Sequence, residues 1–202
     1  MGHRFAEIAF TDRVKAEQSR HGSRASYARF ESGEPMRHRL GAREAQFIAE
    51  RDSFYMATVS ETGWPYIQHR GGPKGFLRVL DEKTIGFADY RGNRQYISLG
   101  NLGGNDRVSL FLMDYPNRAR LKLLGRARLV SPDDTEQMKM LVADGIEARI
   151  ERGFLIDVEA FDWNCSQHIT ERYTLADVEQ ATAALRARIA ELETKLQQGT
   201  VS

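Results

Sequence analysis

The stretch from Gln68 to Arg94 carries the side chains in this chain that are best suited to binding chemistry. It reads QHRGGPKGFLRVLDEKTIGFADYRGNR, and its cationic residues are Arg70, Lys74, Arg78, Lys83, Arg91 and Arg94. Arginine forks hold anions through paired hydrogen bonds, and glycine lets a ligand approach the backbone closely. The stretch therefore predicts a surface that holds a phosphate group and a flat ring.

Metal binding and nucleophilic catalysis have much weaker support in the sequence. The histidines lack the i, i+4 spacing of a metal site; they are His3, His21, His38, His69 and His168. Cys165 precedes His168 by three residues, but no third group orients the pair. We therefore expect Cys165 to pack as a small apolar residue, and we predict no metal site. The glycine-rich run at 100–105 is interpreted as a helix end and turn rather than a phosphate loop.

Composition excludes several broad classes. The net charge is only +1, from 29 basic and 28 acidic residues, which argues against nucleic acid or membrane partners. One cysteine cannot form an intramolecular disulfide, and it fits a reducing compartment. No apolar run approaches the ~20 residues that span a bilayer. The N-terminus MGHRFAEIAF lacks a secretory apolar region. A soluble cytoplasmic protein is expected.

The elements that position these residues are mostly short strands. Alternating or β-branched runs separated by turns predict strands over 54–60, 64–68, 75–80, 84–89, 108–113, 119–130 and 153–162. A helix is expected over 12–18, capped by Thr11 or Asp12, and another over 42–51, with Ala45, Ile48 and Ala49 on one stripe. Further helices are expected over 93–102, from Pro132 to about Ala143 with Ser131 or Asp133 as cap, and from Thr174 onward. Successive strands with few helices between them indicate an antiparallel barrel or sandwich.

Residues 119–130 show the clearest alternation. The predicted core face carries Leu121, Leu123, Ala127 and Leu129, and the opposite face carries Arg120, Lys122, Arg126 and Arg128. The basic face is either a solvated edge or a surface that meets an anion.

Both ends of the chain read as appendages. Residues 1–41 form a polar arm whose arginines are either solvated or in contact with a partner subunit. Residues 174–202 form a helix with Val178, Leu185, Ile189, Leu192 and Leu196 at heptad spacing, and Thr182 in one seam position. Two readings stay open for this helix: packing on its own domain, or a coiled coil that makes dimer contacts.

The order of these strands resembles the pyridoxamine 5′-phosphate oxidase-like FMN-binding split barrels. The matching pieces are WPYIQHRGGPKGFLRVLDEKTIGFADYRGNRQYISLGNL and NDRVSLFLMDYPNRARLKLLGRARLV, and the resemblance covers 42–173. It implies a mainly β fold, a six-stranded antiparallel split barrel with flanking helices. It also implies a homodimer with FMN at each subunit interface.

The resemblance assigns roles to individual residues. It places 74–78, including Lys74, Gly75, Phe76 and Arg78, beside the FMN, with Asp89 on the neighbouring strand edge. The element that grips the FMN phosphate matches Asn93, Arg94 and Gln95, with glutamine in place of the usual lysine. From the partner subunit, the FMN contacts match Arg120, Lys122, Trp163 and Arg172.

Substrate recognition by true pyridoxamine phosphate oxidases does not carry over. Their arginine–histidine pair is reduced to His168, with Ser166 at the arginine position. Their tyrosine, arginine and serine for the substrate phosphate are missing from 133–145. Trp163 is equally well read as core packing, and His168 as a surface or capping residue. The expected function is an FMN-dependent oxidoreductase acting on a small molecule. The alternative is a non-enzymatic flavin or haem binding or sensing protein on the same barrel.

Overall fold

The predicted strands join in a single antiparallel sheet in the computed structural model, which describes residues 2–29, 31, 35–143, 148–163 and 167–199. The strands are β1 Gly2–His3, β2 Pro35–Met36, β3 Ser53–Val59, β4 Pro65–Gly71, β5 Arg78–Val79, β6 Thr84–Tyr90, β7 Arg107–Asp114, β8 Ala119–Val130 and β9 Ile150–Trp163. The helices are α1 Arg4–Ala9, α2 Asp12–Arg20, α3 Arg24–Ala28, α4 Ala42–Ala49, α5 Ile97–Gly104, α6 Thr135–Leu141 and α7 Leu175–Gly199.

Seven strands form the main sheet, in the order β4-β3-β7-β8-β9-β6-β5. The pairs β3–β4, β3–β7, β5–β6, β6–β9 and β8–β9 are antiparallel. The mainly β, antiparallel prediction is therefore confirmed. The count is seven strands rather than the six that the resemblance implied, and β4 and β5 are open edges in this order. β1 and β2 form a separate parallel pair.

Apolar side chains of the central strands form the core. The largest fully buried ones on the sheet are Phe54, Met56, Ile85, Phe87, Leu110, Leu112, Leu121, Leu123 and Phe154. The rings of Phe87 and Phe154 stack at 4.9 Å across β6 and β9. This stack fixes the two strands that later supply the site.

Helix α6 packs against β6 and β9 at two glycines. A Cβ at Gly86 would lie 2.5 Å from Leu141 Cδ2, and one at Gly153 would lie 3.1 Å from Met138 Sδ. A side chain at either of these two positions would therefore displace the residues of α6 from the sheet. The cap of α6 is Asp134, which accepts a hydrogen bond from Gln137 N at 3.1 Å. Neither Ser131 nor Asp133, the predicted candidates, serves as that cap.

Several boundaries differ from the sequence prediction for local reasons. The predicted strand 75–80 pairs only at β5, because Gly75 adopts a positive φ of 79°. Helix α5 begins four residues later than predicted. Leu129 is 44 % exposed and Val130 is buried instead, so the alternation of β8 ends at Ala127.

The buried face of the first helix after the arm was predicted in part. Helix α4 buries Ile48 as predicted and half-buries Ala45, but it also buries Glu44 and Phe47, whereas Ala49 is exposed. In the arm, α2 is confirmed with Thr11 as its cap. The segment after it, expected to be irregular, contains α3 and β2.

The chain divides into two compact units. One comprises residues 1–114 and 120–165, and the other comprises 115–119 and 166–202. Among the described residues, no helix combines the length and the apolar character needed to cross a membrane.

Candidate functional site

A cleft of about 220 Å³ opens at one end of β4, β6 and β9, beside the loop that precedes α5. We call it the Arg94 cleft. Its lining residues are Gln68, Arg70, Asp89, Tyr90, Gly92, Asn93, Arg94, Gln95, Tyr96, Ser98, Leu99, Glu151 and Phe154. Five of the residues predicted to bind a cofactor are among them: Arg70, Asp89, Asn93, Arg94 and Gln95.

The loop of the Arg94 cleft has an unusual backbone. Arg94 and Tyr96 both lie in the left-handed region, with φ of 64° and 54°. This region is costly for residues other than glycine, and such residues cluster at ligand-binding loops. Asn93 Oδ1 accepts a hydrogen bond from Gln95 N at 3.2 Å, which closes the turn between them. The Arg94 side chain is exposed, and its hydrogen bond to Tyr96 raises the pKa of the Arg94 guanidinium.

The amino end of α5 borders the same cleft. No side chain caps the helix at Tyr96, and Ser98 and Leu99 of its first turn line the cleft. The first N–H groups of a helix have no partner within the helix and carry partial positive charge. Ser98 Oγ also donates a hydrogen bond to Gln68 Oε1 at 3.0 Å, which ties the helix to β4. The helix end and the Arg94 loop therefore both present donors to an anion.

The floor of the Arg94 cleft holds a charged cluster. Asp89 accepts a hydrogen bond from Arg70 Nη1, and its other oxygen lies 3.7 Å from Arg152 Nε. Antiparallel pairing places Asp89 directly opposite Arg152. Burial raises the pKa of Asp89, and the two arginines oppose that shift. The carboxylate thus fixes both guanidinium groups at the base of the cleft.

Unmade hydrogen bonds are concentrated around this floor. Among the described residues, the buried side-chain atoms with no hydrogen-bond partner include Arg70 Nε, Arg152 Nε and Tyr90 Oη. Glu151 adds negative charge at the rim, where its carboxylate is 2.9 Å from Arg152 Nη2 and accepts from Tyr96 Oη at 3.2 Å. The cleft therefore combines exposed cationic and amide donors with an internally neutralised floor.

A second, larger cleft of about 580 Å³ lies between the N-terminal arm and β8–β9. We call it the Asp162 cleft. Its lining residues are His3, Phe5, Ala6, Phe10, Gln18, Tyr27, Arg37, Lys122, Asp162 and Trp163. Two of the residues predicted to bind FMN from the partner subunit, Lys122 and Trp163, lie here rather than in the Arg94 cleft.

The polar groups of the Asp162 cleft bind one another. Asp162 accepts a hydrogen bond from Arg37 Nη1 at 2.8 Å and lies 3.3 Å from Lys122 Nζ. The Trp163 indole N–H donates to Glu44 Oε1 at 2.7 Å. These contacts attach the arm and α4 to the sheet.

The other predicted FMN contacts in the first unit lie outside both clefts. Lys74 and Arg78 are exposed at the turn and on β5. Gly75 is held by a hydrogen bond from its N–H to Arg51 O at 3.1 Å. The Phe76 side chain is buried in the core, 5.5 Å from the stacked ring of Phe54, so only its backbone is left to meet a ligand. Arg120 lies over the Phe111 ring at 5.8 Å.

The remaining predicted residues belong to the second unit. Arg172 lies over the Tyr115 ring at 4.9 Å, and His168 is exposed with a φ of 63°. Their roles toward a cofactor or substrate stay predictions. Cys165 and Ser166 lie outside the described residues.

Sequence reasoning missed the part of the Arg94 cleft that β9 supplies. Glu151, Arg152 and Phe154 are far from Arg94 in sequence and reach the cleft through the β6–β9 pairing. One feature of the sequence could have predicted this part of the cleft. If the predicted strands 84–89 and 153–162 pair antiparallel, the end of the first strand lies beside the start of the second.

No group of three or more potential metal ligands occurs among the described residues.

Comparison with known proteins agrees with this fold. The pyridoxamine 5′-phosphate oxidase family model matches residues 40–194, well over half of the chain. None of the curated proteins compared with the chain matches it.

Among solved structures, HupZ of Group A Streptococcus is 17% identical, with a TM-score of 0.50 over 66% of this chain and 100% of that one. A substituted form of HupZ is 16% identical, with a TM-score of 0.50 over 62% and 99%. A Clostridium acetobutylicum protein related to general stress protein 26, of the pyridoxinephosphate oxidase family, is 17% identical, with a TM-score of 0.45 over 67% and 94%. At these identities the HupZ structures show a shared fold. The family match establishes that the chain belongs to the pyridoxamine 5′-phosphate oxidase family.

Proposed function

We propose that this protein is an FMN-binding flavoprotein, an oxidoreductase that acts on a small molecule. The observation that carries the proposal is the convergence of Arg70, Asp89, Asn93, Arg94 and Gln95 on one cleft. These residues lie on two strands and a loop, and the sequence predicted each of them as a cofactor contact.

The Arg94 cleft suits the phosphate end of FMN. Arg94 and the amide side chains of Asn93 and Gln95 are exposed donors, and the first turn of α5 adds backbone N–H groups. Helix N-termini and arginine forks are common phosphate sites. The unpaired Nε of Arg70 offers one further donor on the floor. The residues present therefore fit a phosphate.

The same cleft is too small to enclose a whole flavin nucleotide. Its volume of about 220 Å³ lies below the ~300–1,000 Å³ of sites that bury most of a ligand. We therefore propose that a homodimer completes the site, with the sheet of each subunit forming a split barrel over 42–173. Arg120, Lys122, Trp163 and Arg172 of a second copy would contact the ring, and His168 the substrate. A cytoplasmic location is part of the proposal.

In such a site FMN would supply electron transfer, and the chain would bind and orient the cofactor. Haem is the alternative ligand. The described residues that line the Arg94 cleft include no histidine, cysteine or methionine; the side chains that could bind haem iron are Tyr90 and Tyr96, with His168 of a second copy. The donors suited to a phosphate, at Asn93, Arg94 and Gln95, are what favour FMN.

The absorbance spectrum of the purified protein tests the ligand. A flavin spectrum, with FMN released on denaturation or regained on soaking, is expected. A Soret band would move the assignment to haem. Colourless protein that takes up no FMN would overturn the proposal.

Arg94→Ala tests the position of the phosphate. Charge-assisted hydrogen bonds are worth about 1.5–3 kcal/mol, so we expect the FMN Kd to rise about 10- to 100-fold. Titration of the apoprotein with FMN, followed by flavin fluorescence, measures this change. Arg107→Ala, an exposed arginine on β7, is the matched control and should leave the Kd unchanged. Equal affinities for the two variants would place the phosphate elsewhere.

Reduction of bound flavin separates an enzyme from a carrier. Under anaerobic conditions, NADH or NADPH should bleach the oxidised flavin, and an added acceptor should restore it. A flavin that neither nucleotide reduces and no oxidant turns over would favour the non-enzymatic carrier or sensor.

A further inference from the structure

The C-terminal helix α7 exposes a continuous apolar seam along its 25 residues. Leu185 is 66 % exposed and Leu196 is 70 % exposed. The seam consists of Leu175, Val178, Leu185, Ile189, Leu192 and Leu196, all of them exposed. An apolar row of this length on a helix is typical of an interaction surface.

The seam follows the heptad repeat of a two-stranded coiled coil. In the two central heptads Leu185 and Leu192 lie at position d, and Thr182 and Ile189 lie at position a. The outer positions differ, with Leu175 and Leu196 at a and Val178 at d. In the central heptads, β-branched residues at a with leucine at d favour two strands. The Thr182 hydroxyl donates to Val178 O at 2.8 Å, so burial of Thr182 in a seam would leave its donor satisfied.

Charges beside the seam select the orientation of a second helix. In a parallel in-register pair, Arg188 at g faces Glu193 at e of the second copy, and the contact occurs twice. In an antiparallel pair centred on the seam, g faces g and e faces e. Arg188 would then face Arg188, Arg186 would face Arg186, and Glu179 would face Glu193. The flanking charges therefore complement a parallel in-register copy and repel an antiparallel copy in this register.

The contacts within one helix leave these charges available. Arg188 Nη1 lies 2.5 Å from Glu191 Oε2, but Glu191 is also paired with Lys195 Nζ at 2.5 Å. Exposed pairs of this kind are weak, so Arg188 can exchange its partner at little cost. Glu193 makes no ion pair within the part of the chain that the structure describes.

We propose that two copies of this chain associate through α7 as a parallel, in-register helix pair. A pair of helices this short is only marginally stable alone. The proposed homodimer contact between the same two chains would raise the effective concentration of one helix near the other. The association rests on the seam and its charges, and it does not depend on whether the protein binds FMN.

Disulfide trapping in the full chain tests the pairing. With the native cysteine removed by Cys165→Ser, Leu192→Cys places one thiol at d of each helix. Two d positions of a parallel pair lie within the ~4.4–6.8 Å Cα separation that a disulfide spans. We expect near-complete crosslinking on mild oxidation. Gln180→Cys, at the outer f position, is the matched control and should stay largely uncrosslinked.

The direction of the pair is tested by mixing two chains of different size. A tagged Val178→Cys chain and an untagged Leu196→Cys chain crosslink to each other only in an antiparallel pair. In a parallel pair the two sites are separated by about 27 Å, at 1.5 Å per residue. Formation of the mixed product would overturn the parallel arrangement.

A charge exchange provides the second test. Arg188→Glu and Glu193→Arg each create like charges across a parallel pair, whereas a mixture of the two restores attraction. In the Leu192→Cys background, each variant alone should crosslink less than the parent chain. In a mixture of the two variants, the crosslinked product that joins one chain of each should exceed the share expected from random pairing. Crosslinking that is indifferent to these changes, or equally efficient in the Gln180→Cys and Leu192→Cys variants, would overturn the proposal. FMN occupancy measured in parallel reports separately on the flavin site.

Discussion

The Arg94 cleft and the Asp162 cleft are both built around an aspartate held by cations, but they leave different groups available. Asp89 and Asp162 each accept a hydrogen bond from an arginine and have a second cation nearby. One cleft has exposed donors in its loop, whereas Arg37, Lys122 and Trp163 of the other are already paired with carboxylates. The difference distinguishes the proposed binding surface from an anchor of the arm and α4.

In the Arg94 cleft the neutralised cluster lies beneath the donors. Asp89 binds Arg70 and approaches Arg152 at the floor, while Asn93 and Arg94 remain exposed in the loop above. The left-handed backbone at Arg94 is offset within the loop by the hydrogen bond from Gln95 N to Asn93 Oδ1 and by the contact of Arg94 with Tyr96. A ligand that accepts the exposed donors would stabilise this loop further.

In the Asp162 cleft three donors already have carboxylate acceptors. Lys122 and Arg37 bind Asp162, and Trp163 binds the buried carboxylate of Glu44. The family resemblance assigns Lys122 and Trp163 to the flavin of a partner subunit. Such a role would have to coexist with these internal contacts or replace them.

Removal of the Asp89 charge should have the largest effect on stability. Asp89→Asn leaves Arg70 without a counter-charge on the cleft floor and leaves Arg152 paired with Glu151. Breaking a buried ion pair costs about 3–5 kcal/mol, and we expect the lower end, about 3 kcal/mol, because the Asp89 side chain is 12 % exposed and its burial already disfavours the charged form. Urea unfolding of the apoprotein measures the loss.

The matched control for Asp89→Asn is Asp157→Asn, which removes an exposed carboxylate from β9. Its free energy of unfolding should change by less than about 0.5 kcal/mol. Similar small losses in both variants would show that the arginines on the floor do not need Asp89.

Sequence patterns predicted the strands because these features are local. Strand β8 has the bounds that its alternation predicted, and Thr11, one of the two expected caps, caps α2. Asn93, Arg94 and Gln95 were singled out by the resemblance as a contiguous motif, and all three line the same cleft, but the helix predicted over them begins only at Ile97.

The remainder depended on backbone geometry and non-local pairing. Helix α5 starts late because Arg94 and Tyr96 adopt left-handed conformations that neither residue type signals. Arg152 reaches the cleft only through its register with Asp89. Phe76 was grouped with the ligand contacts, yet a single buried position in a glycine-rich turn carries no periodicity that marks it as core.

Substitution of Trp163 should lower the stability of the protein while changing FMN affinity little. The expected loss of stability is smaller than that of Asp89→Asn. Trp163→Phe keeps an aromatic ring against Phe47 but removes the donor to Glu44. An unsatisfied buried acceptor costs about 1–3 kcal/mol, so we expect a loss of about 2 kcal/mol in the free energy of unfolding. The FMN Kd should rise less than in Arg94→Ala, because the Arg94 cleft keeps all its donors.

Trp64→Phe is the control for Trp163→Phe, since the Trp64 side chain is 76 % exposed. Its stability should be nearly that of the wild-type protein. A Trp163→Phe variant with normal stability and a large loss of FMN affinity would reverse the assignment of anchor and binding surface.

The smallest expected effect is a pH dependence at the Asp162 cleft. Burial, with the nearby charge of Arg37, lowers the pKa of His3, while Asp162 Oδ1 at 3.3 Å opposes the shift. With a lower pKa in the folded state, the unfolded chain binds the proton more readily. The contribution of His3 to stability is therefore present above its ordinary pKa of 6.5 and declines as the pH falls through the folded pKa.

The difference in the free energy of unfolding between wild type and His3→Gln should increase from about pH 5 to pH 7 and then level off. Urea unfolding at each pH measures it, with the exposed His21→Gln as control. A difference that stays constant over this range would mean that His3 anchors the arm without any coupling to its protonation.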